Sequence, residues 1–310
     1  MELVDRALNG DLRALARLAT HIESDSPLGR IALGALYSRS GTAHRIGITG
    51  PPGAGKSTIV DGLIPIFREQ EKRVAVLAVD PSSSLSGGAT LGDRIRMSRW
   101  HADDSVFIRS IASRGATGGL ARSTIGLAHL FDAAGFDPII IETVGTGQNE
   151  VAVATQSHTT ILVQVPGMGD SVQSLKAGIL EVGDILIVNK TDRAGSKELV
   201  ADLRQMIELS EHDNSDWIPK IIETIATDGT GLSALAAAIR NHFCILTRGS
   251  EFARRTLAIA RSEVSALLTT ELDRRIREQD RDPNLRAAIA SVARRERTSL
   301  EVMQSLPFFS

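Results

Sequence analysis

The sequence predicts an α/β fold, a mainly parallel sheet covered by helices, with a helical extension at each end. Three observations carry that expectation. Seven short β-branched runs alternate with helical stretches between His44 and about Phe243, a glycine-rich turn follows the first run, and the flanking segments have helical spacing. Runs that are apolar on both faces and separated by helices belong to a parallel sheet, because each crossover lays a helix over one face.

The elements follow in order. Leu8, Leu12, Leu15, Leu18 and Ile22 recur at intervals of three and four, one face of a helix, and IALGALYS continues the pattern, so residues 1–43 read as a helical extension. The strands are RIGITG, RVAVLAVD, SVFIRSI, PIIIETVG, TTILVQVPG, DILIVNK and IPKIIET, within a domain spanning 44–248. From 249 to 310 the chain is strongly helical, with Val264, Leu268, Leu272 and Ile276 spaced by four among charges of both signs. That mixture reads as a solvated helical face. RDPNLR ends one helix at Pro283 and begins another.

Bulk properties exclude several classes. Lys+Arg at 35 against Asp+Glu at 37 leave a net charge of -2, so no overall field draws the chain to nucleic acid or an anionic membrane. Cys244 is the single cysteine, which rules out an internal disulfide or a thiolate cluster within one chain and suits a reducing compartment. MELVDRALNGDLRALARL mixes acids with bases, unlike a signal or transit peptide. No apolar run approaches the roughly 20 residues of a membrane span. The expectation is a soluble cytoplasmic protein with no nucleic-acid or membrane partner.

GITGPPGAGKSTIV, residues 47–60, satisfies G-x-x-x-x-G-K-[ST] between an apolar strand and the helical IVDGLIPIF, the setting of a P-loop NTPase. Gly50, Pro51, Pro52, Gly53, Ala54 and Gly55 would turn successive N–H groups toward phosphate beside a helix N-terminus. Lys56 would bridge the β- and γ-phosphates, Ser57 would ligate Mg2+, and Thr58 would reach the α-phosphate. Three acids are candidates for the metal shell: Glu142, in an E-x-x-G with Gly145 at a strand end, Asp80 at the end of VAVLAVD, and Asp93 in the loop beyond it. A γ-phosphate contact falls to the Gly145 N–H. No Arg or Gln is assigned to the transition state, although Gln148 lies just behind the E-x-x-G.

DILIVNKTD supplies Asn189, Lys190 and Asp192, an N-K-x-D directly after a strand and about 130 residues beyond the P-loop. A carboxylate at Asp192 accepts the N1–H and exocyclic amine of guanine, and adenine would leave it unpaired. Asn189 would tie the loop, with the Lys190 stem over the ring. Ile225, Ala226 and Thr227 stand where a second base loop is expected; with Ile225 in the place of a serine, only the backbone N–H of Ala226 or Thr227 could reach guanine O6.

GPPGAGKST, VLAVDPSSSLSGGATLGDRIRM, IIIETVGTGQNEVAV, VPGMGDSVQSLKAGILEVGDILIVNKTD and the early GDLRALARLATHIES together resemble the MeaB/ArgK family of GTPases, over essentially the whole chain. The resemblance implies a GTP-hydrolysing chaperone of an adenosylcobalamin-dependent acyl-CoA mutase. It implies that Asp80, Asp93 and Glu142 form the Mg2+ and water shell with Ser57, that Lys56, Asp93 and Glu142 serve catalysis, and that Asn189 and Asp192 read guanine. Residues Pro166 to Gly178 resemble the segment that senses the mutase, with Asp170 and Lys176 as charged handles. The C-terminal helices resemble an arm that joins homodimers. Thr191 and Ile225 depart from the usual residues.

Two other classes compete. A nickel-type metallochaperone GTPase needs His/Cys clusters, and the seven histidines form no close pair; His242 with Cys244 is the nearest approach, read as a buried thiol beside a helix-end histidine. A small-molecule P-loop kinase would want adenine specificity, against which Asp192 argues.

Overall fold

The computed structural model describes residues 2–80, 98–112, 117–143, 153–167, 183–209, 217–279 and 283–304. All seven expected runs form strands of one parallel sheet: β1 Arg45–Thr49, β2 Val74–Asp80, β3 Val106–Ala112, β4 Ile139–Thr143, β5 Thr159–Gln164, β6 Ile185–Asn189 and β7 Lys220–Thr224. The spatial order is β3-β2-β4-β1-β5-β6-β7. After β1 the chain moves outward on one side for β2 and β3, returns through β4, and crosses to β5 on the other. Connections that diverge in this way open a crevice at the carboxyl ends of the strands, which is where open α/β sheets bind ligands.

Helices cover both faces. On one face α4 (Lys56–Arg68) and α7 (Leu232–Arg248) pack Ile59, Leu63, Leu235 and Ile239 against Ile46, Ile48, Ile140, Ile161 and Ile187. On the other, α5 (Thr117–Ala133) covers Ala75, Leu77, Ile139 and Ile141, and α6 (Ser196–Leu209) covers Leu162, Leu186 and Val188.

The expected N-terminal stripe is split into α1 (Glu2–Leu8), α2 (Leu12–Glu23) and α3 (Pro27–Tyr37). Gly10 turns the chain at φ 90°, and Asp11 caps α2 by accepting from the N–H groups of Arg13 and Ala14 at 2.9 and 3.0 Å. That cap satisfies donors a continuous helix would have used. Leu15, Leu18 and Ile22 are buried in the same cluster as α5 and the sheet, so these helices complete the main core. At the α2–α3 contact, a Cβ on Gly29 would stand 2.3 Å from the His21 carbonyl oxygen, so only glycine fits there.

At the amino-terminal ends of the strands, polar groups are buried in connected networks. Asp184 accepts two bonds from Arg255 and one from the Thr160 N–H, at 2.7, 2.7 and 2.8 Å. Glu263 meets Arg45 and His129, both at 3.1 Å. Thr159 Oγ1 lies 2.6 Å from His44 Nε2 and 2.8 Å from His242 Nδ1. Burial disfavours the imidazolium, so His44 sits well below the usual histidine range, His158 falls to about 3 and His242 to about 4.

The chain divides into two compact units, Met1–Glu263 and Val264–Ser310. Helix α8 runs from Glu251 to Gln279, followed by α9 (Pro283–Ala293) and α10 (Ser299–Gln304). Thr298 and Glu301 form a reciprocal cap at the start of α10. Val264, Leu268 and Leu272 are exposed along α8. Among the described residues, no helix is long and apolar enough to cross a membrane.

Candidate nucleotide site

The loop between β1 and α4 sits at the crevice. Gly50, Gly53 and Gly55 have φ of 142°, 73° and 93°. Two of the three are also pinned by neighbours: a Cβ on Gly50 would approach the Val163 carbonyl oxygen to 2.2 Å, and one on Gly55 would approach Asn189 Nδ2 to 2.4 Å. The loop therefore needs glycine for its own curl and for the strands it lies against. Lys56 is 5% exposed, with Nζ donating to the carbonyls of Gly50 and Pro51 at 2.7 and 2.9 Å. The ammonium thus lies inside the loop that the sequence assigns to phosphate. Thr58 follows in the first turn of α4.

Glu142 is 2% exposed near the end of β4, and the Ser57 hydroxyl donates to its Oε1 at 2.5 Å. The register explains the meeting: Glu142 pairs with Ile48 of β1 and so faces the α4 side of the sheet. A hydroxyl and a carboxylate side by side are hard oxygen donors, the set Mg2+ takes with water completing its octahedron. Val79 pairs with Thr143, so the backbone of Asp80 lies one residue beyond that level. The side chain of Asp80 lies outside the described part of the structure, as do residues Asp93, Gly145 and Gln148. Among the described residues no group of three or more His, Cys, Asp or Glu side chains is arranged to hold a metal ion.

Asn189 joins the two halves of the site. Its Nδ2 donates to the Ala54 carbonyl at 2.8 Å, while Oδ1 accepts from Thr224 Oγ1 at 3.0 Å and from the Ala226 N–H at 3.1 Å. The side chain is 2% exposed, so three different loops converge on one amide. Lys190, at φ 62°, extends from the base loop to the Gly53 carbonyl at 2.7 Å. Thr191 donates both its N–H and its hydroxyl to the Thr224 carbonyl at 3.3 Å. The hydroxyl bond from Thr224 was not apparent from the sequence, although a threonine beside a predicted base loop was a usable signal.

Two expectations change. Of the two backbone N–H groups expected to reach guanine O6, those of Ala226 and Thr227, that of Ala226 is already donated to Asn189. Asp192 is exposed at the turn after β6, so the penalty for an unpaired buried carboxylate applies once a base covers it.

The remaining candidates separate. Pro166 and Gly167 end the strand β5 connection, and residues 168–178, with Asp170 and Lys176, lie outside the described residues. His242 is fully buried against Thr159, whereas Cys244 is half-buried, not buried as expected. Residues two apart on a helix point in different directions, so the pair does not share a face.

A family model described as Methylmalonyl Co-A mutase-associated GTPase MeaB matches residues 15–281. A Pyrococcus horikoshii protein assigned as a GTPase is 43% identical over 269 residues, 86% of this chain and 85% of its own. The mitochondrial methylmalonic aciduria type A homolog of Mus musculus is 38% identical over 199 residues, 63% of this chain and 48% of that one. The crystal structure of an LAO/AO transport system kinase is similar with TM-score 0.73 and 25% identity, covering 99% of this chain and 96% of that one.

Proposed function

The chain belongs to the MeaB family of mutase-associated GTPases, and we propose that its GTP hydrolysis times the loading and repair of an adenosylcobalamin-dependent acyl-CoA mutase. The observation that carries the guanine-nucleotide reading is the amide of Asn189, which from the first predicted base loop bonds at once to the phosphate loop and to the second base loop. Base and phosphate recognition then form one hydrogen-bonded unit. The mutase half of the reading is supported by the family's description and by the mouse relative's name.

In this reading Lys56 leaves the Gly50 and Pro51 carbonyls for the β- and γ-phosphates, with the loop N–H groups from Gly50 to Thr58 around them. Mg2+ bound at Ser57 would neutralise charge developing on the β- and γ-oxygens. Glu142, Asp80 and Asp93 would hold that ion and its water together with Ser57. Asp192 accepts from the guanine N1–H and amine, the Thr227 N–H donates to O6, and the Lys190 stem lies along the ring. Gly145 meets the γ-phosphate, whose loss releases the surrounding loops. Pro166 to Gly178, with Asp170 and Lys176, is the mutase-sensing segment, residues 249–310 form the homodimer arm, and the protein works in the cytoplasm.

Steady-state GTP hydrolysis by the full chain, with ATP as control, alone and with a cobalamin-dependent acyl-CoA mutase from the same source, tests this. Slow intrinsic GTP turnover that the mutase accelerates is the expected result. Equal rates with and without mutase would refute the timer, and equal use of ATP would refute the guanine site.

A further inference from the structure

The first turns of α8 grip the amino ends of three adjacent strands. Arg45, which opens β1, donates to Glu263 at 3.1 Å. Arg255 donates to the carbonyl of His158, the residue before β5, at 2.8 Å, and to both oxygens of Asp184, the residue before β6, at 2.7 Å each. Asp184 also accepts the Thr160 N–H of β5 at 2.8 Å, so one carboxylate joins two strands to the helix. Glu251, one turn back on α8, takes the Arg255 Nε–H at 2.9 Å.

These strands lie side by side in the order β1-β5-β6. Their carboxyl ends hold the phosphate loop: β1 runs into it, the Val163 carbonyl of β5 stands so close to Gly50 that no Cβ fits, and Asn189 closes β6 and bonds to Ala54. Strand β6 is the most direct link. Its five residues, Ile185–Asn189, are all buried and span about 16 Å, with the Asp184 carboxylate bridge before one end and the Asn189 amide bridge at the other.

An exposed ion pair would carry little between sites, because water takes its place at small cost. Here the Asp184 side chain is 9% exposed and the Arg255 side chain 25%, and the two meet as a charged two-pronged pair. Opening that pair leaves a carboxylate almost without water, so the grip and the packed strand behind it move together or not at all.

We propose that Arg255 couples the nucleotide site to α8: a nucleotide held by the phosphate and base loops tightens the Arg255–Asp184 grip through β6, and α8 responds to occupancy of the site. This rests on the reading of those loops as a guanine-nucleotide site. Binding that removes freedom from one end of a packed element lowers what the other end must lose, which couples them without a change of shape. The coupling is reciprocal. The factor by which GDP steadies the grip is the factor by which the grip favours GDP.

Amide hydrogen exchange of the full-length protein, with and without saturating GDP, reads residues 251–263 of α8. GDP should slow exchange there by about fivefold, the lower end of ordinary coupling between sites. Arg255→Met keeps the apolar stem and removes the fork; it should weaken GDP binding by a similar factor in calorimetry, and its α8 exchange should no longer respond to GDP. Glu251→Gln loosens the fork without removing it and should fall between the two, which keeps the test decisive if Arg255→Met does not fold. A parent α8 whose exchange ignores bound GDP overturns the proposal. So does an Arg255→Met protein that loses thermal stability yet binds GDP like the parent, the result for a merely structural ion pair. If the parent binds no GDP, the nucleotide reading falls first and the coupling falls with it.

Discussion

One buried amide does more for this site than its motif suggests. Asn189 makes three of the four hydrogen bonds its amide can form with protein groups: Nδ2 to Ala54, Oδ1 with Thr224 and Ala226. Replacing it with alanine strands a carbonyl, a hydroxyl and an N–H at a buried position, each costing about 1 to 3 kcal/mol where water cannot reach. Asn189→Ala should therefore weaken GDP binding by at least about tenfold, measured by calorimetry, because the phosphate loop and base loops lose their common anchor. Binding within twofold of the parent would show that the loops hold their positions independently. Position 189 was legible from N-K-x-D after a strand. The partner at Thr224 was not, since a motif gives residue types and spacing without saying which way an amide is turned. Asp192 shows the same limit: the motif puts its carboxylate in the turn after β6, but its exposure depends on how far that turn projects.

Elements were more legible than contacts. The central β-branched runs became strands because burial on both faces removes any choice of register side, so an apolar run has one use, whereas β7 at the sheet edge keeps Lys220 and Glu223 exposed. The N-terminal leucine spacing identified helix and its apolar face, yet nothing in a 3.6-residue period says what covers that face; it proved to be α5 and the sheet. Nor could spacing gather His44, His158 and His242 around β1, β5 and α7. Their burial as neutral rings has a consequence for acid stability. Each has a folded-state pKa below its unfolded value near 6.5, so the unfolded chain takes up protons first as pH falls. Their stabilising contribution is complete above about pH 6.5 and is lost as pH drops toward 4, by at most about 1.4 kcal/mol per histidine per pH unit. Urea midpoints should decline steadily from pH 6.5 to 4.5. Equal midpoints at pH 7.5 and 5 would mean that these rings take up protons without unfolding that end of the sheet.

At the scale of the whole molecule, α8 leaves Val264, Leu268 and Leu272 exposed at 56%, 60% and 37%. Three large apolar side chains at one spacing make a patch that soluble monomers seldom keep. With the family's homodimers as the proposed reading, Leu268→Glu should convert the sedimenting species from dimer to monomer while leaving GTP affinity within twofold. A parent protein that sediments as a monomer would refute that use of the helix. The strand order carries a different consequence, for synthesis. Strand β1 pairs only with β4 and β5, whose residues begin at Ile139 and Thr159. The central strand is therefore made early and waits for both neighbours. At about 5–20 residues per second, the ribosome takes roughly 4.5 to 18 s to move from the end of β1 to the start of β4, the first of its neighbours to be made. Through that interval Ile46 and Ile48 have no strand beside them, and an unpaired apolar strand is a template for wrong pairing. Nucleotide stabilises only a chain that can bind it. The phosphate loop is encoded in the first fifth of the polypeptide but can begin to protect it only when more than half has emerged.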